Sequence, residues 1–84
     1  MDKYYVYILT SVDYDKNYVG FTSNLEGRLL AHNHPKNKGW TKRFQPWRIL
    51  YYEEFSTKVE AMLREKELKS GKGREFIKLK ILNS

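Results

Sequence analysis

Six consecutive residues near the amino terminus, Tyr4-Tyr5-Val6-Tyr7-Ile8-Leu9, are all aromatic, β-branched or aliphatic. A short run of this kind, bounded by polar residues, is a strand signal. Asp13, Asp15, Lys16 and Asn17 then form a polar turn, and Tyr18-Val19-Gly20-Phe21 reads as a second short strand. Residues 4–21 are therefore expected to form an antiparallel hairpin. A hairpin laid down so early must have its apolar faces covered by the rest of the chain.

That remainder is small. A chain of 84 residues reads as a single domain, residues 1–84. A domain this size buries only about 60–65% of the surface its unfolded form exposes. Large side chains make such a core economical, and seven Tyr, four Phe and two Trp supply them.

Ser23-Asn24-Leu25-Glu26 has the serine-to-glutamate spacing of a capping box, which predicts a helix from Asn24 to about Asn33. Pro35 cannot continue it. Gly27 inside it is a poor helix former, and the sequence offers no account of that glycine. Residues 35–46 read as a loop rich in Lys, Gly and Asn, followed by a third strand from Trp47 to Phe55 with Ile49, Tyr51 and Phe55 at alternating positions. Thr57-Lys58-Val59-Glu60 is a second capping box, opening a helix through Lys69 that Gly71 ends. From Glu75 to Leu82, Phe76 and Leu79 recur at helical spacing and predict a short terminal helix. The expected order is β-β-α-β-α-α. This is an α+β fold, a small three-stranded antiparallel sheet flanked by helices.

Composition removes several chemistries. The chain has no cysteine, which excludes disulfides, thiolate zinc sites and cysteine nucleophiles and suits a reducing cytoplasm. No apolar run approaches the roughly 20 residues of a membrane span. His32 and His34 do not share a helix face, and Ser70-Gly71-Lys72-Gly73 lacks the spacing and preceding strand of a phosphate loop. Charge points elsewhere. The net charge is +6, yet residues 1–33 carry net −1 and residues 34–84 net +7. So one-sided a distribution suits a polyanion, most simply nucleic acid, or else a solvated surface.

Four groups of residues stand out. On the first predicted helix Leu25 and Leu29 mark the buried stripe, with His32 at its edge and Arg28 beside it at i,i+4. Either could be a plain boundary residue, Arg28 snorkelling over the sheet. On the second helix Glu65 falls between Ala61 and Met62, with Leu68 one turn later. A carboxylate so placed is costly unless a cation pairs with it. That cation could be Lys69 at i+4, Arg28 or a metal. Tyr7 and Tyr18 lie on facing strands, where cross-strand packing or a shared site would bring them together. The loop sets Lys36, Lys38, Lys42 and Arg43 around Trp40, a mixture of cations and an aromatic ring that suits phosphate contact with base stacking, or simple solvation.

Taken jointly, Tyr5-Val6-Tyr7, Tyr18-Val19-Gly20, Arg28, His32 and a helical Glu65 resemble the GIY-YIG nuclease family. Within it, the chain is similar to short stand-alone members related to the nuclease domain of the bacterial excision-repair subunit UvrC. The resemblance extends over nearly the whole chain, including the stretch Glu60 to Lys69. It implies a metal-dependent endonuclease acting on DNA. Tyr18 would be the general base, Tyr7 a supporting tyrosine, Arg28 the phosphate ligand and Glu65 the single metal carboxylate, with His32 where members place His or Tyr. One carboxylate with several waters suits Mg²⁺ or Mn²⁺ better than zinc. The chain departs from the family at Tyr5, which stands in place of the first-motif glycine. It departs again at Phe21, where a lysine often follows the second motif, and it lacks an evident counterpart of a late asparagine. Substrate grip would then fall to residues 36–43. Two alternatives stand beside the enzyme: a binding module that uses this basic loop without useful turnover, and a domain whose basic face meets an acidic protein.

Overall fold

The structure, a computed structural model, describes residues 3–83. Its elements run β1 (Tyr4–Ser11), β2 (Asn17–Thr22), α1 (Leu25–Asn33), a 3₁₀ turn (Trp40–Phe44), β3 (Trp47–Phe55), α2 (Lys58–Leu68) and α3 (Gly71–Leu82). The three strands form one antiparallel sheet in the order β2-β1-β3. This is the α+β arrangement expected, with β-β-α-β-α-α order.

The central strand is buried on both faces, and its alternation sorts the core into two layers. Val6 and Ile8 join Val19, Ala61, Leu68 and Ile77 beneath α2 and α3. Tyr7 and Leu9 join Trp47 on the other face, with Leu25 and Leu29 of α1 packed against them. Period-two alternation in β1 thus gives each helical layer its own apolar surface.

Four details depart from the expected pattern. Ser23 does not cap α1; Asn24 does, its Oδ1 accepting the Gly27 N–H at 3.0 Å. Thr22 sets this register, since its hydroxyl accepts the Asn24 N–H at 3.1 Å and closes a local turn that leaves Ser23 outside the helix. The cap also accounts for Gly27, because a Cβ there would lie 2.5 Å from Nδ2 of Asn24.

The second departure is in β3. Pairing with β1 shifts between Ile8 and Leu9, so Tyr51 faces Ile8 while Ile49 faces Leu9. The extra residue on β3 makes a bulge. Ile49 therefore packs with Tyr7 and Leu9, whereas Tyr51 and Phe55 pack on the opposite layer.

Gly71 does not end the preceding helix by a left-handed turn; it is the first residue of α3, four residues ahead of the expected Glu75. The two helices meet closely, and a Cβ on Gly73 would lie 2.0 Å from the Leu68 carbonyl oxygen. Glycine here permits a close approach.

Finally, the segment 35–46 is tied down by side-chain amides. Asn33 bonds both backbone groups of Trp47, at 2.9 Å to its carbonyl and 2.6 Å from its N–H. Asn37 and Gln45 donate to the His32 carbonyl at 3.0 and 2.7 Å. These bonds satisfy acceptors that the end of α1 leaves open. Helix α2 starts as its capping box predicts, with Thr57 Oγ1 accepting the Glu60 N–H at 3.3 Å. A forked Arg64–Glu53 pair, 3.0 Å from Nε and 2.9 Å from Nη2, ties α2 to β3.

Candidate functional site

β1, β2, α1 and α2 all bring polar side chains to a common pocket of about 450 Å³. Tyr7 comes from β1, Tyr18 from β2, Arg28 from α1 and Glu65 from α2. Lys58, at the start of α2, lines the same space. The wheel positions explain the convergence. Leu25 and Leu29 hold α1 on the sheet, and Ala61 and Leu68 hold α2, so Arg28 and Glu65 emerge at the margins of the two buried stripes.

The two tyrosines are adjacent, with ring centroids 6.3 Å apart. Gly20 makes this possible. A Cβ at Gly20 would lie 2.6 Å from the Tyr7 hydroxyl and 3.1 Å from the Tyr18 ring. The glycine that follows Tyr18-Val19 is therefore a clearance for the phenol on the neighbouring strand.

Tyr7 is 2% exposed. Burial holds its hydroxyl well above the ordinary phenol range, the negative potential of Tyr18 and Glu65 adds to this, and Arg28 opposes it. Tyr7 therefore remains protonated and serves as a hydrogen-bonding group, not a base. Its oxygen lies 3.1 Å from Nε2 of His32, whose Nδ1 lies 3.0 Å from Oγ1 of Thr41. Burial, then the Arg28 guanidinium, push the imidazole below its usual value, so it is neutral near pH 7. Its ring also stands 4.7 Å from that of Tyr18, centroid to centroid. His32 thus touches both tyrosines from behind, in a recess that Arg28 and Trp40 also line.

Glu65 keeps a side-chain exposure of 21%, and its Oε2 lies 3.4 Å from Nζ of Lys69. The ion pair weighed from the sequence is formed, and the carboxylate still opens on the pocket. Among the described residues no group of three His, Asp or Glu side chains is arranged around a metal. The donor set fits a hard cation that keeps most of its own water: one carboxylate, a polar pocket with room for solvent, and no soft ligand.

The basic loop is positioned differently. Lys36, Lys38 and Arg43 are exposed. Lys42 turns its ammonium onto the Pro35 carbonyl. Trp40 packs against Phe44 and Trp47, at centroid distances of 4.8 and 5.9 Å, yet stays half exposed. Of these five residues, Trp40 is the one that borders the recess holding Arg28 and His32. The sequence reading missed Thr41 and Asn37, which hold His32 in place: Asn37 Nδ2 donates to Thr41 Oγ1 at 2.7 Å. Neither has a local signature, because both act through tertiary contact. It also missed Lys58, whose place in a capping box hid its position over the pocket.

Comparison with known proteins agrees with the fold. The family described as the GIY-YIG catalytic domain matches residues 3–78. A UPF0213 protein of Staphylococcus haemolyticus is 40% identical over 79 residues, covering 94% of this chain and 95% of that protein. A UPF0213 protein of Clostridium perfringens is 42% identical over 65 residues, covering 77% and 69%. The solution NMR structure of a UPF0213 protein from Bacillus halodurans superposes with a TM-score of 0.53 at 32% identity, covering 89% of this chain and 81% of that one.

Proposed function

The chain belongs to the GIY-YIG catalytic domain family, and from that premise we propose that it is a metal-dependent endonuclease hydrolysing phosphodiester bonds in DNA, of structure-specific or repair type. The observation that carries this reading is the single pocket lined by Tyr7, Tyr18, Arg28 and Glu65. A hydroxyl, a cation and a carboxylate lining one space support a reading in which a single phosphate meets all three. The family is a nuclease family; the substrate, the metal and the residue roles are the parts proposed here.

Tyr18 acts as general base in its phenolate form: it takes the proton of the attacking water, whose oxygen bonds to phosphorus as the P–O bond to the leaving strand breaks. Arg28 binds the non-bridging phosphate oxygens, where negative charge grows in the transition state. Tyr7, held protonated, and neutral His32 bond to each other and pack against the Tyr18 ring. Glu65 would hold Mg²⁺ or Mn²⁺, and the ion would supply Lewis-acid stabilisation of the negative charge that grows at phosphorus. Lys69 must release Glu65 for this, a small cost for a partly exposed pair. No helix among the described residues is long and apolar enough to cross a membrane, and a cytoplasmic site of action accords with the reading.

The test is cleavage of labelled single-stranded and branched DNA with Mg²⁺ or Mn²⁺. Tyr18→Phe and Glu65→Ala should each abolish it; cleavage undiminished in both would assign the activity to another protein in the preparation.

A second reading has its own support. Lys36, Lys38 and Arg43 are exposed around a half-exposed Trp40, as a nucleic-acid-binding module without useful turnover would need. Its mark is binding with a steep salt slope and no cleavage under any metal. A flat salt dependence would rule it out.

A further inference from the structure

The pocket at Glu65 is smaller than the groove on the other side of Tyr18, which measures about 800 Å³. Its apolar lining comes from Val19, Leu68 and Ile77, all three buried core residues. Around them stand the cations Lys16, Lys69, Arg74 and Lys78, opposed by one acid, Asp15. Arg74 and Lys78, on α3, are exposed and have no ion-pair partner among the described residues. Trp40 borders the groove, 48% exposed.

Two further observations point to a ligand. Asn17, which lines the groove, has its Oδ1 buried with no hydrogen-bond partner. A buried acceptor of this kind is uncommon in a native structure, and the amino or imino group of a nucleobase would satisfy it after a small side-chain turn. The groove is also continuous with the catalytic pocket through shared side chains. Tyr18 lines both, and Lys69 lines the groove while its ammonium reaches Glu65 at 3.4 Å.

We propose that this groove binds an unpaired nucleic-acid strand, with a base on the exposed part of the Trp40 ring and phosphates on Arg74 and Lys78, and delivers the adjoining linkage to Tyr18. An apolar floor with an aromatic wall and a cationic rim matches alternating base and phosphate. The bases of a duplex are stacked inside it and cannot reach the face of Trp40; those of a single strand can. The proposal rests on the nuclease reading for the delivery step, but binding itself needs neither metal nor turnover.

The test uses the full chain in EDTA with fluorescein-labelled oligothymidylate, a duplex of equal length and poly-glutamate as probes. Anisotropy should show the single strand bound more tightly than the duplex, with quenching of tryptophan fluorescence. The charge reversals Arg74→Glu and Lys78→Glu change exposed side chains, so circular dichroism should stay native. Together they should reduce single-strand affinity at least about tenfold and lower the salt slope by about 1.4, the value for two phosphate contacts. Trp40→Ala should cost about fivefold or more; Trp40→Phe, which retains a ring against Trp47, should recover most of it. Unchanged affinity in the double reversal, equal binding of the duplex, or equal binding of poly-glutamate would each overturn the proposal. Cleavage of the same probes with Mg²⁺ or Mn²⁺ separates the two levels. Cleavage together with preferential single-strand binding by the wild type supports both readings. Intact single-strand binding with no cleavage by the wild type overturns the nuclease and leaves the groove.

Discussion

The hydroxyl of Tyr7 on the central strand lies 3.1 Å from Nε2 of His32 on the first helix. This contact joins the sheet to the wall of the candidate site. From His32 the chain of bonds continues to Thr41 at 3.0 Å and Asn37 beyond it. The imidazole is fixed at both nitrogens, and the tyrosine it holds is the one that Gly20 leaves room for.

The His32 contact makes stability pH-dependent. Burial and Arg28 lower the imidazole pKa in the folded protein from an ordinary value of 6.5. The unfolded chain then binds the proton more readily. Stability is complete above pH 7 and falls as pH drops through 6.5 toward the folded-state value, below which this contribution changes no further. Urea unfolding between pH 5 and pH 8 should show the decline, and His32→Gln should flatten it. An equal slope in the variant would place the titration elsewhere.

Gly20→Ala should disturb the site before it disturbs the fold. The new methyl would meet the Tyr7 hydroxyl, forcing that ring away from His32. Overpacking of this kind typically costs about 1–3 kcal/mol. The side-chain nitrogen resonances of His32 should shift as the Tyr7 contact is lost, and cleavage should fall with them. Unchanged His32 resonances would mean that Tyr7 does not depend on the clearance at Gly20.

Gly27 and Asn24 should be coupled. Alanine in an exposed helix interior normally stabilises by about 1 kcal/mol over glycine. Here its methyl would displace the capping side chain, and a lost asparagine cap costs about 1 kcal/mol. Gly27→Ala should therefore be near neutral in the wild type and stabilising by about 1 kcal/mol when Asn24 is already alanine. A double-mutant cycle by urea unfolding measures the difference. Additive effects would show that the cap tolerates the methyl.

Local periodicity makes the hairpin and the helices visible, whereas Tyr7, Tyr18, Arg28 and Glu65 each read equally well as structural residues and are joined into one set by the family resemblance. Tyr4 to Leu9 alternates between two buried faces, and Leu25, Leu29, Ala61 and Leu68 fix which side of each helix is covered. What stayed hidden is tertiary. The bulge at Leu50 places Ile49 and Tyr51 in different layers, and nothing in Trp47 to Phe55 marks it. Asn33 reads as the end of a helix, and Asn37 and Gln45 as loop residues, yet their side chains bond the backbone of Trp47 and His32. Ser23 looked like the cap because its spacing to Glu26 is right; Thr22, by a side-chain bond to Asn24, gave that role to the next residue. Glu65 was legible as a carboxylate that needs a cation, but periodicity could not choose between Lys69 and a metal.

A Mn²⁺ titration followed by NMR decides between Lys69 and a metal as the partner of Glu65. Paramagnetic broadening should appear first at Glu65, Tyr18 and Arg28, and Glu65→Gln should remove it from all three. Broadening centred on other carboxylates, or unchanged in Glu65→Gln, would contradict a metal-assisted site in this pocket.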